Sequence, residues 1–231
     1  MNVQRIDNSL RAFHGDKRIK AQYLARLRAH AAADEIIHGK YWSNGKGCAV
    51  GCTVHSGSHA AYETELGIPI MLARLEDRIF EGLDNSESKQ FPLTFLSAIR
   101  PGADLSRVGW KFLYWLLTEE LTSRYDPKVA EVIKRCANVL LPLTKGRMGD
   151  MREAIAARNA AAADADAAAA AAAAAAAYAA AAAADAAAYA AYAAADAARH
   201  QSYSRMSVKF IALLRSARPS KANAKQLETH K

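Results

Sequence analysis

AAAADADAAAAAAAAAAAYAAAAAADAAAYAAYAAADAA, residues 160–198, carries alanine at every position except Asp164, Asp166, Tyr178, Asp185, Tyr189, Tyr192 and Asp196. Alanine has the best intrinsic helix propensity, and its methyl group lets backbones approach closely, so the stretch predicts a long helix with smooth packing sides. At 100° per residue, Asp164, Tyr178, Asp185, Tyr189, Tyr192, Asp196, His200 and Tyr203 fall within an arc of roughly 80°, and Asp166 lies off it. Tyr178 with Tyr189, Asp185 with Asp196 and Tyr192 with Tyr203 each repeat at a spacing of eleven, which suits one continuous rod. Asp150-Met-Arg-Glu153 supplies a capping oxygen and a third-position glutamate at its start, and Pro219 sets its limit. An unbroken span would measure about 95 Å at 1.5 Å per residue, too long for a domain of this size. A break near Asp164–Asp166 or near His200–Ser204 is therefore expected. Beyond Tyr203 the same arc reaches Ser207, then Phe210 and Leu214, so the stripe should turn inward at its C-terminal end.

Two readings of the stripe compete. In one, the alanine faces are buried and the Tyr/Asp ridge is simply the solvated side. In the other, Tyr178, Tyr189 and Tyr192, flanked by Asp185 and Asp196, form a recognition surface for another protein, since tyrosine offers large amphipathic area at low entropic cost. A long alanine surface would equally suit packing against its copy in a homodimer.

Upstream, the punctuation is helical throughout. An amphipathic helix is predicted over Asp16–His38 with Gly39 as its stop, followed by a loop over Tyr41–Gly47. Ser58–Leu66 ends at Gly67, and Pro69 opens a helix that should stop soon after Gly82. Phe91–Ile99 reads as a short helix, Asp104 caps one carrying Trp110, Leu113, Tyr114 and Leu117, and Asp126-Pro127 opens another. No segment alternates between turn signals as a strand would. The expected fold class is all-α, a bundle of short helices around the long alanine-rich C-terminal helix. Three regions are expected: a helical N-terminal region over 1–146 holding the Cys/His segment, the alanine-rich region over 150–218, and a basic tail over 219–231.

The 231 residues are 52% hydrophobic, but alanine inflates that figure, and the large core formers cluster between Ile68 and Leu143. No apolar run reaches membrane-span length, and the polar start lacks a signal-peptide core, so a cytoplasmic protein is expected. The net charge of +8 is uneven. Both termini are basic around an acidic middle, yet no aromatic–basic interleaving or DNA-binding motif accompanies them, which argues against nucleic acid as the partner.

The chemistry-bearing segment is Gly47-Cys-Ala-Val-Gly-Cys-Thr-Val-His-Ser-Gly-Ser-His59. Cys48, Cys52, His55 and His59 have the donor types of a zinc site, though Cys-x3-Cys-x2-His-x3-His lacks the usual long spacer. A thiol-enzyme version would use Cys48 or Cys52 with His55 or His59 as base and Glu63, Glu76 or Asp77 as orienting carboxylate. A purely structural version makes the cysteines small buried hydrophobes. Gly45-Lys46-Gly47 does not have the spacing of a phosphate-binding Walker loop. Three cysteines, an odd number, imply free thiols or metal ligation and no disulfide framework.

Gly47-Cys-Ala-Val-Gly-Cys-Thr-Val-His55, Tyr62-Glu-Thr-Glu-Leu-Gly-Ile-Pro69 and Leu75-Glu-Asp-Arg-Ile-Phe-Glu-Gly-Leu83 resemble a group of uncharacterised bacterial and phage proteins that also end in alanine/tyrosine-rich helices. That resemblance brings no activity with it. The alanine rod and the helix opening at Asp126-Pro127-Lys128 look like the alanine-rich part of immunity proteins from bacterial toxin systems. The second resemblance implies a non-enzymatic interaction protein of the immunity or inhibitor class; the competing expectations are a metal-binding protein or enzyme on Cys48, Cys52, His55 and His59, and nucleic-acid binding through the basic termini.

Overall fold

Asp16 accepts the backbone N–H of Arg18 through its carboxylate and so caps the first long helix, α1 (Lys17–Ala32). In the computed structural model of the chain, residues 10–122, 126–147 and 184–219 are described, with backbone alone for residues 184–197. The expected helix start at Asp150, the break near Asp164–Asp166, Tyr178 and the basic tail beyond Pro219 lie outside the described residues.

The helix expected to reach His38 stops at Ala32. Asp34 turns into the left-handed region at φ 55°, Glu35 N donates back to His30 O at 3.0 Å, and Ile36 then forms a parallel bridge with Gly47. The loop expected over Tyr41–Gly47 is a small antiparallel hairpin, β1 (Trp42–Ser43) and β2 (Lys46–Gly47), turned by Asn44 and Gly45, both at positive φ. Asn-Gly is the strongest short hairpin signal, because both central residues of a type I′ turn need that backbone. The signal was present in the sequence.

The next helix, α2 (Ala49–Val54), has every residue buried. It can be central only because two glycines admit the preceding strand: a Cβ on Gly47 would lie 2.1 Å, and on Gly51 1.4 Å, from the Tyr41 carbonyl oxygen. Around it stand α3 (Ala61–Leu66), stopped by left-handed Gly67, and α4 (Ile70–Gly82), opened by Pro69. The short helix expected over Phe91–Ile99 begins earlier, as α5 (Asn85–Ala98), because Asp84 accepts the N–H groups of Ser86 and Glu87. After it come α6 (Val108–Trp115), a π-helical turn (Leu116–Leu121), α7 (Pro127–Asn138), capped by Asp126, α8 (Leu141–Thr144) and α9 (Ala184–Ser216). The fold is all-α apart from the hairpin. Among the described residues no helix is long and apolar enough to cross a membrane.

The chain divides into two compact units, one over residues 10–112 and 203–219 and the other over the described part of residues 113–202. The first holds nearly all of the core. Phe13, Leu27, Tyr62, Leu72, Phe80 and Leu96 are buried there, and Phe210 brings the end of α9 between Phe95 and Phe112, with ring centroids at 5.6 and 5.1 Å. The core expected between Ile68 and Leu143 is thus displaced toward the N-terminus. Past Phe112 the buried apolar residues of residues 113–147 are Ala130 and Ala137. In the second unit, Ser202 donates to the buried Glu120 at 2.8 Å, and α7 packs on the π-helical turn.

α9 passes His200–Ser204 without the break expected there. Its arc turns inward as the spacing requires, with Phe210 and Leu214 fully buried. The inward turn starts one step sooner, at half-buried Tyr203, whose ring occupies the space a Cβ on Gly82 would need: three of its carbons lie 2.4 Å from that position.

Candidate functional site

Burial of α2 decides where the Cys/His segment can point. Cys48 and Cys52 stand one helical turn apart but have different neighbours. The Cys52 thiol donates to Gly47 O at 3.3 Å and Glu35 O at 3.5 Å, which ties α2 to the loop behind it. Cys48 faces α4 instead. Its Sγ lies in a group with a carboxylate oxygen of Asp77 and one of Glu81, all within 4.8 Å of one another.

Asp77 gathers further partners. His59 Nε2 lies 3.3 Å from its Oδ2, and Tyr41 stacks edge-on to His59 at 5.7 Å between ring centroids. Glu81 accepts from Gly39 N at 3.0 and 3.1 Å, and a cavity of about 210 Å³ is lined by Gly39, Lys40, Tyr41, Asp77 and Glu81. One residue before Asp77, the buried Glu76 accepts from Tyr62 Oη at 2.7 Å. Glu76 Oε1 and Asp77 Oδ1 are the buried side-chain oxygens without a partner among the described residues, and they belong to consecutive residues. Unpaired buried oxygens are rare, and two together call for a physical reason.

Three carboxyl groups, Glu76, Asp77 and Glu81, come together at this cluster. Burial pushes the Glu76 carboxyl well above its usual range, and the neighbouring Asp77 adds to that. Burial also pushes the Cys48 thiol up to about 12, with the Asp77 charge acting in the same direction. Cys52 is raised by burial to about 11. Both thiols are thus shifted away from the thiolate form.

A second constellation gathers around His55, on the other side of α2. His55 is the C-cap of the helix, held at φ 53° and ψ 36°, an uncommon backbone for an imidazole-bearing residue. Its Nε2 lies 2.8 Å from Nε2 of the buried His30, and His30 Nδ1 lies 2.6 Å from Glu35 Oε2. Trp42 stacks on the His55 ring at 4.4 Å and 12°, and meets His30 edge-on at 5.4 Å. Arg26 donates to Thr53 O at 2.8 Å and lies over the Tyr23 ring, whose hydroxyl donates to Glu65. Desolvation, then the charges of Arg26 and His30, hold the His55 imidazole below its ordinary value.

The residues singled out in the sequence are thus divided. Cys48 and His59 meet at Asp77; His55 pairs with His30; Cys52 serves the core. Of the carboxylates named with them, Asp77 and Glu76 lie at or beside the cluster, and Glu63 accepts Ile70 N at 2.9 Å. Sequence reading missed His30, Glu35, Trp42 and Glu81. The Asn44-Gly45 turn would have placed Trp42 beside the Cys/His segment; nothing in the spacing of His30 or Glu35 points to it. Asp185, Tyr189, Tyr192 and Asp196 lie on the α9 backbone, and Tyr178 lies outside the described residues. No family model, curated protein or solved structure matches this chain.

Proposed function

We propose that this protein binds a divalent transition-metal ion of the zinc type through Cys48, Asp77 and Glu81, with His59 as the fourth donor. One observation carries the reading: a thiol sulfur and two carboxylate oxygens from two helices lie within 4.8 Å of one another. Donors around a tetrahedral zinc ion stand about 3.3–3.8 Å apart, so side-chain movements of about an ångström would close the shell. A cation would also account for the unpaired Asp77 oxygen and offset the charge that Asp77 and Glu81 bring together. His59 already touches Asp77, which puts its imidazole next to this group.

The test is a zinc titration of the chelator-treated full chain, followed by thermal unfolding and metal analysis. At a free zinc concentration of about a hundred times Kd, binding to the folded form adds about 2.7 kcal/mol. Asp77→Asn and Cys48→Ser should lose bound zinc and the stabilisation, whereas Cys52→Ser should keep both. Wild-type protein that retains no zinc and melts at the same temperature in chelator and in zinc overturns the reading.

A second reading, a protein-binding ridge on α9, is supported by the continuity of that helix through Asp185, Tyr189, Tyr192 and Asp196, whose spacings of four, three and four place them on one face.

A further inference from the structure

Three stretches far apart in the sequence meet in the first unit. Ala12 N donates to Ala103 O at 3.2 Å and Gly102 N to Ala12 O at 2.7 Å, while Lys20 Nζ donates to Ser97 O and Ile99 O at 2.8 and 2.6 Å. The chain just past α9 joins them where Asp104 N donates to Arg218 O at 3.1 Å. Residues 11–20, 99–111 and 215–218 together carry nine lysines and arginines against two acids, Asp16 and Asp104. Both acids are engaged: Asp16 caps α1 and pairs with Arg18 at 2.8 Å, and Asp104 accepts Ser106 N at 3.0 Å. Lys17, Arg100, Arg107, Lys111, Arg215 and Arg218 are exposed, and none of the six has a carboxylate partner among the described residues.

We propose that this surface binds the phosphate backbone of double-stranded nucleic acid without regard to base sequence. Charge complementarity carries the inference: unpaired cations gathered from three segments form a positive field that a polyanion offsets. Four of the six are arginines, whose planar guanidinium can meet two phosphate oxygens at once. Each phosphate neutralised releases condensed counterions, which drives association. The partner is a duplex because no large hydrophobic residue on these segments is exposed to stack on unpaired bases. The same lack argues against a lipid surface, where binding grows with buried apolar area as well as with charge. In the sequence the basic stretches lie toward opposite ends of the chain, and the fold sets them side by side. A contact made to phosphates alone requires no base-reading motif.

The probe is a fluorescein-labelled DNA duplex of about 20 base pairs, titrated with the full chain in chelator between about 50 and 200 mM sodium chloride. Six phosphate contacts predict a loss of about a thousandfold in affinity over that range. The combined variant Arg100→Gln, Arg107→Gln, Arg218→Gln should lower the slope of log affinity against log salt by about three, equally on duplexes of different sequence. Arg28→Gln, Lys46→Gln, Arg78→Gln removes the same charge from exposed positions on α1, β2 and α4 and should keep the wild-type slope. Should the first combination not fold, Arg107→Gln alone gives the same reading with a slope lower by about one. No binding at the lowest salt, or equal slopes in the two combined variants, overturns the proposal. So does tighter binding to a single strand than to the duplex, or binding to phosphatidylserine vesicles without binding to the duplex.

Discussion

His55 carries two burdens at one position: a left-handed backbone, and an imidazole partly removed from water beside the Arg26 guanidinium. Its folded-state pKa lies below the unfolded value, so protons bind preferentially to the unfolded chain. The stabilisation from this residue is therefore complete above about pH 6.5, the ordinary histidine value, and is lost as pH falls through the depressed folded-state value. Urea midpoints should drop between pH 7.5 and pH 5, and His55→Asn should be flatter over that interval. Equal pH dependence in the two proteins would show that the ring is not desolvated as described. The residue scale is also where the sequence was least informative. Cys48 and His59 were visible as candidate donors, but Glu81 reaches Cys48 only because α4 lies against α2, and His30 reaches His55 only because α1 does.

Helix α2 has no amphipathic pattern because it has no outer face. A six-residue helix with every residue buried depends on how closely other backbone can approach, and Gly51 sets that distance to Tyr41. Gly51→Ala would place a methyl carbon 1.4 Å from a carbonyl oxygen, with backbone on both sides and no flexible side chain to move. The expected loss is about 3 kcal/mol, the upper end of the usual overpacking range, read as a lower urea midpoint; Gly15→Ala, with open space around its Cβ position, should not share that steric part. Elements bounded by local chemistry were legible in the sequence: Asp16, Gly67, Pro69 and Asp126 act as starts and stops where expected. The misplaced boundaries were set by tertiary pairing, as at Ala32, where Ile36 leaves the helix to bridge Gly47, or by a cap that was passed over, as at Asp84.

At the scale of the whole molecule, the two chain regions of the first unit are separated by ninety residues of sequence, yet they share one core. Phe210 is the point of closure: it is fully buried, with Phe95 on α5 and Phe112 on α6 as its ring neighbours. Ser204 donating to Glu87 fastens the same helix before that contact, and Asp104 N donating to Arg218 O at 3.1 Å holds the chain just past its end. This explains how a stretch of alanine ends in a specific position: propensity extends the helix, but only Phe210, Ile211 and Leu214 bring large apolar surface to the core. Phe210→Ala should therefore cost about 3–5 kcal/mol, the range for a buried phenylalanine, against a total stability on the order of 5–15 kcal/mol for a domain. Val208→Ala, on the same turn but 71% exposed, should lie within about 0.5 kcal/mol of wild type. Hydrogen exchange gives the decisive comparison: in Phe210→Ala, amides of residues 203–216 should lose protection before those of α2, whereas simultaneous loss would mean that the end of α9 and the buried centre unfold as one.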